Sequence, residues 1–274
     1  MGDCSEKILG LQWYNDVDEL GFKTNLNKIS VEIRSGNKIP TKTEFLRIIM
    51  SVYDPLGFLT PLIIHSRILI QDVWISGITW DKELKQAEFE RWKKWLRDLN
   101  SIENVKIPRC YYPINANVKS VELHVFCDAS FKAYSAVAYF RFILDNDLIH
   151  SSIIISKSRV IPIKPVSSIH RLELQAAVLG SRIANIVLKE NVYDISRKVF
   201  RTDSKTVLFW IRKDPRLFKT YVMNRLSEIH NNSKSSEWRW VPTKDNPADD
   251  GTRLAPDALL NENRWFTGPD FYVM

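Results

Sequence analysis

Cysteine is scarce in this 274-residue chain: Cys4, Cys110 and Cys127 are widely spaced and odd in number. They fit neither a zinc-ligand spacing nor a disulfide framework, so a reducing, intracellular and cytoplasmic setting is expected. Long apolar runs are missing too. No stretch approaches the roughly 18 residues that a membrane span needs. The opening MGDCSEKILG has no basic segment leading into an apolar one, so neither a secretory signal nor a membrane partner is read here. Glu6 stands where an N-myristoylation pattern needs a hydroxyl residue. The chain also lacks fixed-period repeats and low-complexity tracts, and none of its five histidines falls in a metal-ligand pattern.

What is present is ordinary globular composition, 45% hydrophobic and 26% charged. That excludes disordered and fibrous classes. The length suits about two domains. Lys and Arg number 39 against 32 acids, a net charge of +7. The excess is local: Lys157 to Arg225 holds 15 basic and five acidic residues. A basic segment in a near-neutral chain suits a polyanion, most simply nucleic acid. It equally suits a solvated surface, and charge alone does not separate the two.

The best boundary lies near residues 101–117, where Pro108, Pro113 and several Asn residues divide two patterned blocks. The first block predicts strands over Ile8–Tyr14 and Ser30–Arg34. A helix follows Pro40-Thr41, with Phe45, Ile48 and Ile49 at helical spacing. Pro55, Gly57 and Pro61 mark a turn. Further helices are expected over Pro61–Trp74 and Glu83–Leu99, the last with Phe89, Trp92, Leu96 and Leu99 on one face. The second block predicts a meander of Val121–Asp128, Ala133–Phe142 and Leu148–Ser156. Val121, Leu123, Val125 and Cys127 alternate there with Glu122, His124 and Phe126. A long helix, Ser167–Lys189, carries the stripe Leu172, Ala176, Leu179, Ile183 and Val187. Then come a strand (Lys198–Thr202), helices (Ser204–Ile211 and Pro215–His230), a strand (Glu237–Val241) and a short helix (Asn246–Arg253). The fold class is α/β, a mixed sheet covered by helices and preceded by a mainly helical segment.

Four acids of the second block fall at element ends. Asp128 ends its first strand and Asp203 its fourth, where ligands bind in open α/β sheets. A carboxylate among apolar strand residues is costly unless neutralised, and a divalent cation would neutralise it. Glu173 lies on the long helix, followed by Ala177, Gly180 and Ala184, small residues that let a helix approach a sheet. Asp249 follows Asn246-Pro247-Ala248, with Asp250 next door. Converging carboxylates suit hard cations such as Mg²⁺ or Mn²⁺. Two such ions can activate water and stabilise the leaving oxygen of a phosphodiester. Singly, each acid reads as an exposed cap or turn residue; jointly they point to a metal site.

The order Asp128, Glu173, Asp203, Asp249 resembles the Asp-Glu-Asp-Asp set of type 1 ribonuclease H domains. The strings SVYDPLGFLTPLIIHSR, VFCDAS, HRLELQAAVLGSRI, TDSKTVLFWI and WVPTKDNPAD resemble the BEL/Pao class of LTR retrotransposon polyproteins, in order from about residue 40 to 253. ILGLQWY resembles the segment beyond the polymerase active site of that family, and WFTGPDFYVM the stretch after its ribonuclease domain. The resemblance implies a ribonuclease H-like five-stranded sheet over residues 118–255. It assigns 1–110 to the end of a reverse transcriptase (end of palm, then thumb or connection) and 256–274 to a C-terminal extension. It implies an enzyme that cleaves the RNA strand of RNA–DNA hybrids with two Mg²⁺ ions, Mn²⁺ being the alternative. Asp128, Glu173, Asp203 and Asp249 would be both metal ligands and catalytic residues. Ser204 and Lys205 are placed for phosphate contact, and Arg212, Lys213 and Arg216 for tracking the hybrid backbone. The implied partners are the hybrid and the absent polymerase and integrase parts of the polyprotein, in virus-like particles.

The polymerase motif Tyr-x-Asp-Asp is absent, and Asp16-Val17-Asp18 lies in a polar turn, so no DNA synthesis is expected. Where many ribonuclease H domains carry a loop histidine before the last acid, this chain reads VPTKDNPAD. Three rival readings stand beside the nuclease. An inactive or domesticated fragment that binds nucleic acid would be marked by loss of one of the acids, and none is lost. An aspartic peptidase needs Asp-Thr-Gly or Asp-Ser-Gly loops, and neither string occurs. An integrase-type nuclease places its Glu last, whereas here it comes second.

Overall fold

The computed structural model of the protein describes residues 5–8, 10–24, 26–27, 29–113, 116–163, 168–253 and 263–272. Near the start, β1 (Ser5–Ile8) and β2 (Leu11–Tyr14) pair antiparallel. Gly10 between them has a φ of 85°, a left-handed turn conformation that glycine adopts without steric cost. The single strand expected over Ile8–Tyr14 is therefore corrected to one arm of a hairpin and part of its turn. β3 (Glu19–Gly21) joins β2, and β4 (Lys106–Pro108) closes this four-stranded antiparallel sheet from far along the chain. The strand expected over Ser30–Arg34 is instead a helical turn, α1 (Val31–Arg34). The Ser30 hydroxyl accepts the Ile33 N–H, and this cap outweighs the strand preference of the branched residues.

α2 (Lys42–Ile49) opens with a reciprocal cap between Thr41 and Glu44. In the turn that follows, the Asp54 carboxylate accepts the N–H groups of Phe58 and Leu59 at 2.9 and 2.8 Å. Gly57 there has a φ of 77°, and any Cβ would overlap the Ser156 carbonyl. α3 (Thr60–Ile75) takes Pro61 in its first turn. α4 (Gln86–Asn100) buries the expected face and Trp95 besides, whose indole N–H donates to the Leu62 carbonyl of α3.

The second half is built on β5 (Val118–Ala129), β6 (Ala133–Leu144), β7 (Ile149–Val160), β8 (Ile195–Thr202) and β9 (Trp238–Trp240). Their order is β7-β6-β5-β8-β9. The first three form an antiparallel meander, and β8 and β9 run parallel to β5. α5 (Ile169–Glu190) connects β7 to β8, while α6 (Lys205–Ile211) and α7 (Thr220–Asn232) connect β8 to β9. This is the mixed five-stranded sheet with flanking helices that the resemblance implies. Two helices are shorter than expected. Pro215–Leu217 is a separate 3-10 turn, so the helix begins at Thr220. Only Pro247–Asp249 is helical, as a 3-10 turn, within Asn246–Arg253.

The alternation along β5 does not separate a buried from an exposed face: every residue from Val121 to Ala129 is buried. α5 covers one side with Leu172, Ala176, Leu179, Ile183 and Val187. On the other side Phe126, Val137, Tyr139 and Ile153 share a core with Phe58, Leu62 and Trp92 of the first half, and with Trp265 and Tyr272 near the end. α8 (Arg264–Thr267) belongs to that layer, its Trp265 indole donating to the Phe58 carbonyl at 2.8 Å. The core thus crosses the boundary near residues 101–117. Residues 256–262 and 273–274 of the expected C-terminal extension, and 254–255 just before it, lie outside the described residues. Among the described residues no helix is long and apolar enough to cross a membrane.

α5 approaches β5 closely at Gly180, where a Cβ would overlap the Cys127 sulfur and crowd Val125. Gly180→Ala should therefore lower stability by about 1–2 kcal/mol, since overpacking here outweighs the roughly 1 kcal/mol of helix propensity that alanine adds. In a Cys127→Ala background the same change should be neutral or stabilising. Denaturant unfolding of the four proteins measures this coupling, and additive effects would refute the close approach.

Candidate active site

The site grows from the parallel pairing of β5 with β8. Cys127 is in register with Thr202, so the next residues, Asp128 near the end of β5 and Asp203 just past β8, come at neighbouring strand ends. α5 runs over these ends and carries Glu173. Ser204, immediately after Asp203, caps α6 by accepting the Val207 N–H and donates its hydroxyl to Glu173 Oε2 at 2.6 Å. Glu173 also lies 3.1 Å from His170 Nδ1. The fourth acid arrives on the turn Pro247–Asp249. The buried Asn246 side chain donates to the Cys127 carbonyl at 3.1 Å and accepts the Ala248 N–H, stapling that turn to β5.

A hydroxyl donor meets each of the three acids nearest the strand ends. Thr252 Oγ1 donates to Asp128 Oδ2 at 2.6 Å, and Thr243 Oγ1 to Asp203 Oδ2 at 2.7 Å, beside the Ser204–Glu173 bond. The Trp240 indole donates to the Asp203 carbonyl. Asp249 is different. Arg253 Nε stands 3.0 Å from its Oδ1, yet that buried oxygen has no aligned hydrogen bond.

Electrostatics ties the acids together. Asp128 is only 4% exposed. Burial pushes its carboxyl up to about 7; the charges of Asp203 and Asp249 add to this, while the Thr252 hydroxyl and Arg253 oppose it. Burial raises Asp203 as well, against the Thr243 bond and reinforced by Glu173. Asp249 is raised by burial too, opposed by Arg253 and reinforced by Asp250 and Asp203. The donor set is all oxygen and strongly anionic, with a nearly buried acid at its centre and an orphaned carboxylate oxygen at its edge, which fits a hard divalent cation. Among the described residues no three acidic, His or Cys side chains stand close enough to hold an ion as they are. The four acids form a charge cluster rather than a closed cage.

The basic residues singled out in the sequence divide. The Lys205 ammonium lies 5.2 Å from the Trp240 ring, beside Asp203. Arg212 and Lys213 are exposed at the end of α6. Arg216 is instead paired with Asp214 through bonds of 2.6–3.1 Å, so its charge is largely spent. Asp250 turns away from the acids and pairs with Arg264 at 2.8 Å. Sequence reasoning missed Thr243, Thr252, Asn246, Trp240 and Arg253. Their one signal was the polar run around Asn246-Pro247-Ala248-Asp249, of which only the acid was weighed.

A pH dependence follows in the absence of divalent cations. The Asp128 carboxyl titrates near 7 when folded and near 4 when unfolded, so between these values the folded state holds the extra proton. Stability must then fall as pH rises through that window and level off above it. Asp128→Asn removes the effect. In EDTA its advantage over wild type should grow from pH 4 to 7, reaching a few kcal/mol on the order-of-magnitude scale of 1.36 kcal/mol per unit. Denaturant midpoints at several pH values check this; a pH-independent difference would contradict the buried, crowded environment described for Asp128.

The family model for the Pao retrotransposon-like RNaseH-like domain matches residues 41–204. No curated protein matches the chain. Among solved structures, the N-terminal RNase H domain of a Mycobacterium tuberculosis protein is similar at 18% identity and a TM-score of 0.34, covering 51% of this chain and 94% of that one. RNase H1 from the archaeon Halobacterium salinarum is similar at 14% identity and a TM-score of 0.30, covering 51% of this chain and 97% of its own. LC11-RNase H1, solved in complex with an RNA/DNA hybrid, gives 12% and 0.30, covering 51% of this chain and 96% of that one. The chain belongs to the Pao retrotransposon-like RNaseH-like family.

Proposed function

We propose that this chain is a divalent-cation-dependent endonuclease that cuts the RNA strand of RNA–DNA hybrids, as part of a retrotransposon polyprotein. The observation that carries this reading is the gathering of Asp128, Glu173, Asp203 and Asp249, from four separate elements, into one mutually repelling cluster at the ends of β5 and β8. Asp128, Glu173, Asp203 and Asp249 would hold Mg²⁺, or Mn²⁺ as the alternative. Asp128, whose carboxyl feels both Asp203 and Asp249, would be the central ligand of that set. Bound there, such ions supply an activated water and stabilise the leaving oxygen of a phosphodiester.

The chain's own residues prepare that chemistry. Thr252, Thr243 and Ser204 fix the directions of Asp128, Asp203 and Glu173. Asn246 holds the turn of Asp249 against β5, and Arg253 offsets the Asp249 charge while no cation is bound. Lys205 lies where a phosphate next to the cut would pass, and Arg212 and Lys213 where its strand would continue; Ser204, buried and bonded to Glu173 and Val207, serves the acids rather than the phosphate. The 2′-hydroxyl identifies the strand as RNA. In this reading residues 1–110 are the C-terminal part of a reverse transcriptase without its polymerase motif, 118–255 the ribonuclease H unit and 256–274 an extension. The polymerase and integrase parts of the polyprotein are then its partners.

Purified protein should cut labelled hybrid in Mg²⁺, lose activity in EDTA, and spare duplex DNA and single-stranded RNA. Asp128→Asn and Asp203→Asn should each slow cleavage by at least about 10³-fold, the scale of several kcal/mol of charge stabilisation. Millimolar Mg²⁺ should raise the Tm of wild type and leave that of Asp128→Asn nearly unmoved. Equal cutting of duplex DNA would overturn the substrate assignment, and full activity in Asp128→Asn the site.

The paired and unpaired cations should also behave differently. Replacing Arg212 and Lys213 by Ala should reduce the salt slope of hybrid binding by about two units, one per phosphate contact. Arg216→Ala, which removes an ion-paired side chain, should change it by less than about one. Equal losses, measured by binding titrations over a range of salt, would refute this division.

A further inference from the structure

β9 covers only part of the edge that β8 offers. It pairs with residues 200–202, whereas β8 begins at Ile195. Among the described residues no strand lies beside 195–199 on that side. Alternate residues of a parallel strand turn both backbone groups to the same neighbour, so about half of the N–H and C=O groups in this stretch face the open side. The chain does not fill the gap. Before β9 it folds into a 3-10 turn, Ser235–Glu237, and leaves a cleft of about 520 Å³ beside β8. Residues 195–199 line it, together with Lys234, Glu237 and Arg239.

The cleft is strongly basic. Arg197, Lys198, Lys234 and Arg239 surround a single acid, Glu237. That acid is already engaged: Lys198 Nζ stands 3.3 Å from one of its oxygens, and the Lys234 N–H donates to the other at 2.8 Å. Arg197, Lys234 and Arg239 are exposed. The Arg239 guanidinium donates to the carbonyls of Ser236 and Trp238. Among the described residues neither it nor the Lys234 ammonium is in an ion pair. Arg197 lies 3.6 Å from Glu122, which His124 and Arg141 hold more closely. Successive strand residues project to opposite faces, so Arg197 and Lys198 put a cation on each side of the open edge.

Open edge and basic cleft together point to one kind of occupant. The edge repeats donors and acceptors at the spacing of an extended peptide. A phosphate backbone only accepts, and its oxygens would meet the edge carbonyls. A second copy of this chain is opposed by charge, because edge-to-edge pairing would set like cations against each other. We infer that the open edge of β8 is a strand-addition site for an extended acidic peptide of a partner protein. Its backbone pairs with residues 195–199, and its acids meet Arg197, Lys234 and Arg239. Those residues span about 16 Å, an ordinary strand length. Arg197 precedes Asp203 by six residues, about 20 Å along β8. The site is thus at the far end of the strand from the acids, and the inference does not rest on the nuclease reading.

The test uses the full chain in EDTA and a fluorescein-labelled peptide of about ten residues that alternates Glu with Val and Thr, long enough to cover the edge. Fluorescence anisotropy should show saturable binding that weakens with salt. Arg197→Ala, Lys234→Ala and Arg239→Ala, combined, should weaken it about tenfold, the scale of three exposed ion pairs. Bound peptide should slow amide hydrogen exchange at residues 195–199 and leave β7, at the other side of the sheet, unchanged. The same peptide with every amide N-methylated keeps its acids but cannot donate to the edge. It should bind about tenfold more weakly, the scale of two hydrogen bonds; equal binding would reduce the cleft to a charged patch and overturn the inference. A single-stranded oligonucleotide of equal charge should not protect residues 195–199, and protection by it would make nucleic acid the ligand and overturn the peptide assignment. Should melting show the triple variant to be unstable, Lys234→Gln with Arg239→Gln replaces it, both side chains being exposed. Unchanged affinity in the variant that folds refutes the site. Failure of wild type to bind the acidic peptide also refutes it, and leaves the cations as guards against edge pairing.

Discussion

Parallel pairing of β5 with β8 in the middle of the sheet sets Asp128 against Asp203, and the surrounding structure offsets what that placement costs. Two carboxylates at neighbouring strand ends repel one another, and burial of Asp128 adds a desolvation penalty. The offsets come from three directions. Thr252 and Thr243 approach from the segment after β9, Ser204 from the start of α6, and Arg253 from beyond Asp249. Each is positioned by a local cap or turn, not by a long element. The geometry of the acids therefore depends on short polar segments that the sheet and α5 hold in place.

That dependence explains why the back of the sheet matters to its front. A strand with parallel and antiparallel neighbours in mid-sheet is normally covered on both faces, and β5 is. The cover opposite α5 comes from the first half of the chain and from residues 263–272. It is not purely apolar. Glu122 is bonded to His124 at 2.9 Å and to Arg141 at 3.0 Å, and Arg201 reaches the other His124 nitrogen at 2.6 Å. Tyr272 lies edge-on over His124. Burial holds the His124 imidazole down to about 4, against the pull of Glu122, so it is neutral at ordinary pH and can bridge a carboxylate and a guanidinium. A buried polar network of this kind is tolerable only when each member is satisfied. It locks the register of the layer that carries Asp128.

The same two-sided burial marks the limit of what the sequence discloses. Periodicity reveals α4 and α5, because their apolar stripes are dictated by one packed face each. It misleads at β5, where Glu122 and His124 imitate a solvent face although their partners lie far away in sequence, on β6, β8 and the C-terminal segment. Ser30 and Gly10 were readable in principle, one as a cap and the other as a turn. Branched and aromatic neighbours gave a strand signal that local chemistry overrode. Asp128 and Asp203 stand out because a carboxylate at the end of an apolar strand is unusual, and Glu173 and Asp249 are read from the set they complete. Thr243, Thr252 and Asn246 do not, because hydroxyls and amides in a polar loop are common and only the fold shows what they touch. Pairing of Arg216 with Asp214 is equally invisible to a count of charges.

Charge counting along the chain likewise merges what the fold separates. The basic stretch Lys157 to Arg225 reads as one patch, yet β7 carries Lys157 and Arg159 to the outer edge of the sheet while α6 carries Lys205, Arg212 and Lys213 to the other side of the acids. Between these flanks lies a cluster with the sign of nucleic acid itself. A polyanion is therefore drawn by the flanks and repelled at the centre, and the balance depends on what neutralises the acids. Arg253 bears on Asp128, Asp203 and Asp249 with a single positive charge. The remaining repulsion acts between partly buried groups, where the effective dielectric is lower than in water, whereas the attraction of the flanks acts through solvent and weakens with salt. Under the proposed function, divalent cations would relieve the central repulsion without changing the flanks, so their binding and that of nucleic acid would be thermodynamically coupled, each raising affinity for the other. An isolated basic surface has no such coupling. It would arise here because one strand register brings the acids together between two basic flanks.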